Sequence, residues 1–221
     1  MRADFWPDQG GMDMLDQIPS TLSGAWDSTL LAPVAEINQT LLEALRTAAR
    51  DASRVRLPRL LLALREEWMG LDQAAIERAA ACPCLLLDAG FAHPLFGARP
   101  LPSVMEAPAC GYLAGAEGVA LLRRTLLLGW HLARANQLAA RVLLGMSGVA
   151  AQRLAMIRLQ ELDALAERAT ASAVPRWEQQ PRVWRQLLRA ARRGQAPQLR
   201  AAHLRGLQLL AANCGGEPGS C

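Results

Sequence analysis

Lysine is absent from the 221 residues, so all 24 basic side chains are arginine. That bias fits a GC-rich coding genome as readily as a selected chemistry and carries no functional weight alone. Aromatic residues make up 5% of the chain and β-branched residues are sparse, while Leu and Ala supply the bulk. Both are strong helix formers, so an all-β fold is excluded and helix is expected.

Histidine is nearly missing too. Catalysis usually brings together a base, a nucleophile and an orienting group, and His93, His131 and His203 are the only three histidines. None sits in a recognisable motif. There is no Gly-rich phosphate loop, dinucleotide fingerprint, paired-histidine zinc helix or nucleophile elbow. Asp88 to Pro94 places an acid and a histidine in one loop and is the most plausible small binding site. The competing reading is a turn made by Asp88 and Gly90, with Phe91 filling the core. The expectation is a protein that is not an enzyme, with no catalytic residues, metal site or cofactor.

The five cysteines, Cys82, Cys84, Cys110, Cys214 and Cys221, lack zinc-knuckle spacing, and no signal peptide is recognisable. The expected compartment is the cytoplasm. Cys82 and Cys84 flank Pro83, with no matching second pair, and read as small buried residues. The most apolar stretch, Val119 to Leu132, is interrupted by Arg123 and Arg124. It is shorter than the roughly 20 residues a membrane span needs and reads as a buried helix.

What is present is enough apolar material for a sizeable core, 52% of residues. The expected fold is all-α: a multi-helix bundle with a helical N-terminal unit and a C-terminal helix-turn-helix-like module. Residues 1–25 read as a loosely ordered arm, 26–90 as the N-terminal unit, 91–115 as a Pro/Gly-rich connection holding the domain boundary, 116–212 as the C-terminal module and 213–221 as a tail. Helices are expected over about Pro33 to Ala52, from Pro58 to Gly70, from an Asp72 cap to Ala81, and over Glu117 to Ala135. Further helices run from Asn136 to Gly145, Ser147 to Ile157, Gln160 to Ala169, Pro181 to Arg193 and Pro197 to Ala212. Arg46, Arg50 and Arg54 are placed on the outer side of the first helix. The run Cys84 to Ala89 is too short to assign. No internal repeat is visible.

The segment Leu132 to Met146, continued by Ser147, Gly148 and the helices of Ala151 to Ala166, resembles the D subunit of the bacterial flagellar master transcriptional regulator (FlhD). An apolar helix leads into an Ala-rich helix that ends in Leu144 and Gly145. A short helix with Leu154 and Ala155 follows, then one carrying Leu159, Leu162, Leu165 and Ala166. The resemblance covers about 50 of the 221 residues and has no counterpart for the first 115. It implies an all-α helix-turn-helix-like module, homo-oligomerisation, and transcription regulation in complex with a second subunit.

In a helix-turn-helix one helix crosses the backbone and the next presents polar residues to base edges. Here the second helix would present Glu161, Asp163 and Glu167, which phosphates repel, so these three residues suit a protein partner better. The basic surface comes later. Residues 1–120 hold 9 Arg against 15 acids, residues 121–221 hold 15 Arg against 5 acids, and no acid occurs from Gln179 to Gly216. Arg182, Arg185, Arg189 and Arg192 recur along one helix opposite Val183, Leu187, Leu188 and Ala191. Arg193 widens the stripe, and Arg200 and Arg205 continue it. DNA is therefore a candidate partner. Two other readings stay open: an ordinary solvated helix face, and an internal match to the acidic first half. Trp177 and Trp184 either stack on bases beside the arginines or belong to the core. The function that follows is a regulatory protein contacting DNA through an Arg-rich helix. Its rival is a helical adaptor that binds protein and no nucleic acid.

Overall fold

Leu and Ala at helical spacing make the helices, and side-chain caps set where many of them begin. The computed structural model describes residues 28–51, 57–91, 111–113 and 115–214. The elements run α1 (Ser28–Arg50), α2 (Arg59–Ala63), α3 (Arg65–Met69), α4 (Gln73–Ala80), β1 (Leu87–Asp88), α5 (Gly115–Ala135), α6 (Gln137–Leu144), α7 (Gly148–Met156), α8 (Leu159–Ala169), a 3-10 turn (Thr170–Ser172), β2 (Val174–Pro175), α9 (Pro181–Arg193) and α10 (Ala196–Cys214). The fold is all-α, as composition requires. Among the described residues its β structure is one antiparallel ribbon, Leu87 opposite Pro175 and Asp88 opposite Val174. No helix among them is long and apolar enough to cross a membrane. The N-terminal arm, most of the Pro/Gly-rich connection, most of the tail, Arg54, His93, Cys110 and Cys221 lie outside the described residues.

The expected caps form. Asp72 accepts from the Ala75 amide at 2.6 Å, Asn136 from Ala139 at 3.0 Å and Ser147 from Ala150 at 3.1 Å. Gly145 and Gly194, with φ of 63° and 66°, stop α6 and α9 in the left-handed conformation. Pro181 opens α9. Two boundaries and one side-chain placement differ from expectation. Helix α1 starts at Ser28, so Pro33 lies inside it rather than in its first turn; the extra turn brings Leu30 and Leu31 against the core, which offsets the missing proline N–H. The helix after Pro58 breaks at Leu64 (φ −129°) into α2 and α3, yet Leu60, Leu61, Leu64 and Trp68 are all buried as their spacing predicts. Arg46 and Arg50 do not merely face outward: both donate to the Leu71 carbonyl, and Arg50 also to Met69, at the exit of α3.

The core is one contiguous cluster from Val34 in α1 to Leu210 in α10, so both halves of the chain share it. Two buried polar side chains organise its centre. Asn38 on α1 donates to the carbonyls of Ala80 (3.3 Å), Cys82 (3.3 Å) and Cys84 (2.9 Å) and accepts from the Leu86 amide (2.7 Å). Arg176, just past β2, donates to the carbonyls of Leu85 (2.9 Å), Leu87 (3.1 Å) and Leu144 (2.8 Å). Between them they satisfy a non-helical strap, residues 81–87, that would otherwise bury unpaired backbone.

A repeat invisible in residue identities appears in burial. Helix α1 buries Val34, Ile37, Asn38, Leu41, Leu42, Leu45, Ala48 and Ala49; α5 buries Gly118, Leu121, Leu122, Thr125, Leu126, Gly129, Leu132 and Ala133. The spacing is the same throughout, 84 residues apart. Further on, Leu60, Leu64, Trp68, Ile76, Ala79 and Ala80 match Met146, Ala150, Leu154, Leu162, Leu165 and Ala166, all buried and 86 residues apart.

Candidate nucleic-acid interface

Helix α9 is strongly two-faced. Val183, Trp184, Leu187, Leu188, Ala190 and Ala191 are buried, while Arg182, Arg189, Arg192 and Arg193 are exposed. The buried face seats α9 on α3 and α4: the Trp184 ring lies 5.5 Å from that of Trp68, and Trp184 Nε1 donates to the Arg176 carbonyl at 2.6 Å. Arg78 on α4 donates to the Ala191 carbonyl at 2.6 Å. The helix is therefore fixed from both sides before any ligand arrives.

The arginines of the stripe divide into two groups. Arg185 and Arg189 converge on one carboxylate, Glu67 on α3, at 3.2 and 3.1 Å, and Arg185 also reaches the Ala63 carbonyl at 3.3 Å. Glu67 is 13% exposed, so this contact is better shielded than an ordinary surface pair. The internal match between acidic and basic halves exists here, but one carboxylate against two guanidiniums leaves a positive charge in excess. Arg192 lies over Gly70, with a guanidinium nitrogen 2.9 Å from where a β-carbon would stand. Arg182, Arg193, Arg200 and Arg205 are exposed. Between α9 and α10 runs a groove of about 510 Å³, lined by Gln186, Arg189, Gln198, Arg205 and Gln208. Its polar side chains are arginine and glutamine, with no carboxylate.

Trp184 is 1% exposed and unavailable to a base. Trp177 is half-buried, with its ring 3.0 Å from the β-carbon position of Gly206 on α10, and takes a positive φ of 56°. Both tryptophans serve packing.

The acidic residues assigned to a protein partner are partly spoken for. Glu161 accepts from the Arg158 amide at 3.3 Å and caps α8, Asp163 pairs with Arg123, and Glu167 is exposed. Exposed apolar side chains on α8 and the two helices before it include Leu138 on α6, Val149 and Met156 on α7, and Leu159 on α8.

The other candidate places resolve as structure. Asp88 accepts from the Gly90 amide at 3.0 Å and Phe91 is 2% exposed, which is the turn and core plug. Cys82 and Cys84 are buried free thiols 3.5 Å apart. The Cys84 thiol, hydrogen-bonded to Cys82 and desolvated, is pushed well above its ordinary value, and the same hydrogen bond lowers that of Cys82. No cluster of three or more metal-ligating side chains occurs among the described residues. A cleft of about 440 Å³ between α1 and α5 contains Glu43, whose carboxyl is lowered by hydrogen bonds from Gln39 and Gln73.

Sequence reasoning passed over Asn38, Glu67 and Arg176. Asn38 left a signal, an amide on the apolar stripe of α1. Glu67 and Arg176 left none, because their partners lie 118 and 91 residues away. Compared with known families, curated proteins and solved structures, the chain matches none.

Proposed function

We propose that this chain is a non-enzymatic, cytoplasmic regulatory protein of the flagellar-regulator type, contacting DNA through the arginine face of α9 and α10. One observation carries the reading: a preorganised helix pair that holds no acid and exposes Arg182, Arg192, Arg193, Arg200 and Arg205. Phosphate contacts of this kind supply affinity through counterion release and fix register on the duplex. Arg185 and Arg189 hold α9 in place through Glu67, and the four arginines Arg182, Arg192, Arg193 and Arg200 meet the phosphates. Binding of the purified chain to mixed-sequence duplex at low salt tests this. Changing those four to Gln abolishes binding while the fold persists. Unchanged binding by that variant rules out this face.

The second reading, a protein-binding adaptor, is favoured by the exposed Leu138, Val149, Met156 and Leu159, of which Met156 is 85% exposed. A chain that binds no DNA at any salt, and whose partner complex survives high salt, is that adaptor.

A further inference from the structure

The matched burial of α1 with α5, and of α2 to α4 with α7 and α8, extends to how the pieces pack. Helix α1 packs on α3 and α4, and α5 packs on α7 and α8. The N-cap of α4, Asp72, falls 86 residues before that of α8, Arg158, in step with the buried positions around them. Each unit then ends in a two-residue strand. Two contacts between the halves pair like with like, as a twofold axis would: α1 on α5 and β1 on β2; the contacts of α9 with α3 and α4 lie outside that relation. In the ribbon, Leu87 pairs with Pro175 and Asp88 with Val174. A twofold relating the strands carries Leu87 onto Val174 and Asp88 onto Pro175, 87 residues on, one more than the spacing of the preceding helices. Amphipathy alone explains a matched stripe on one helix. It does not explain a matched helix start, matched packing partners and a reciprocal strand register together.

We infer that the chain is a built-in twofold pair, two copies of one helical unit fused in tandem, whose mutual surface takes the place of a homodimer interface. An isologous interface uses the same patch on both partners, and here that patch is consumed within one chain. The homo-oligomer expected from the sequence is thereby supplied internally. Beyond the ribbon, α9 and α10 follow β2 and α9 sits on α3 and α4 of the first unit, whereas residues 92–110 after β1 carry a single arginine, Arg99. The arginine face consequently occurs once. Resting on the DNA reading above, this sets the mode of recognition. A homodimer reads two half-sites, and its operator is palindromic; a fused pair with one basic face reads one continuous, asymmetric stretch with one chain.

Sedimentation equilibrium of the full chain without DNA is expected to give a single species of 23.9 kDa across the accessible concentrations. A reversible dimer overturns the inference. Leu42→Ala and Leu126→Ala, at twin positions, are expected to lower the denaturation midpoint by comparable amounts; a large fall at one with none at the other overturns the equivalence. On a duplex of one helical turn, native mass spectrometry is expected to find one chain per DNA, and two chains per duplex overturn the asymmetric mode. A monomer that binds no DNA leaves the fused pair standing and removes the DNA reading instead.

Discussion

Arg176 shows how much one side chain organises. It is 8% exposed and spans the strap and the end of α6 through three carbonyls. Arg176→Met keeps much of the volume and removes the donors. A buried acceptor left unpaired costs about 1–3 kcal/mol, so the variant is expected to lose roughly 3 kcal/mol or more in urea denaturation; a loss below about 1 kcal/mol contradicts the assignment. His203 on α10 makes a pH prediction. Its Nε2 is buried without a protein partner, and burial pushes the imidazole below its ordinary value. The unfolded chain then binds the proton more readily, so stability is lost as pH falls below about 6.5. His203→Gln is expected to flatten the part of that decline between about pH 7 and pH 5 that this group causes, measured as denaturation midpoint against pH. An unchanged slope would mean that His203 is solvated. At this scale the sequence was only partly legible. An isolated Asn on an apolar stripe is a visible anomaly, whereas an Arg between Pro175 and Trp177 announces nothing until the chain has folded.

The elements were legible wherever local chemistry decides. Asp72, Asn136, Ser147, Gly145 and Pro181 each mark a boundary that forms, because a cap or a positive φ depends on neighbours a few residues away. Tertiary packing decided the others: Leu30 and Leu31 extend α1 back past Pro33, and the strap after Cys84 becomes a strand only by meeting β2. The two terminating glycines differ in a testable way. At Gly194 the nearest atom to a β-carbon is 3.8 Å away, so Gly194→Ala pays only for its left-handed backbone, roughly 1 kcal/mol. At Gly145 a β-carbon would stand 2.6 Å from an Arg176 guanidinium nitrogen and 2.8 Å from Leu210 Cδ2. Gly145→Ala is therefore expected to cost about 2–4 kcal/mol, strain and overpacking together. Equal thermal shifts for the two variants would show that the Arg176 contact is soft.

For the whole molecule, the charge asymmetry visible in the sequence has a structural outlet: the acidic half supplies Glu67 and the basic half answers with Arg185 and Arg189. That pairing was foreseen as one reading of the stripe, but only the folded chain separates the arginines that anchor α9 from those left facing solvent. The internal pair was not legible, because its repeat survives as burial spacing while identities have diverged, Asn38 opposite Leu122 and Leu41 opposite Thr125. The central claim is that the solvent-facing arginines of α9 and α10 bind DNA phosphates. The salt dependence of duplex affinity addresses it most directly, since the slope of log affinity against log salt falls by about 1 for each phosphate-neutralising arginine removed. The account predicts a linear decline for the native chain and a shallower slope, about one unit per residue, when Arg182, Arg192, Arg193 and Arg200 are changed singly to Gln. A slope that none of the four substitutions alters would contradict it.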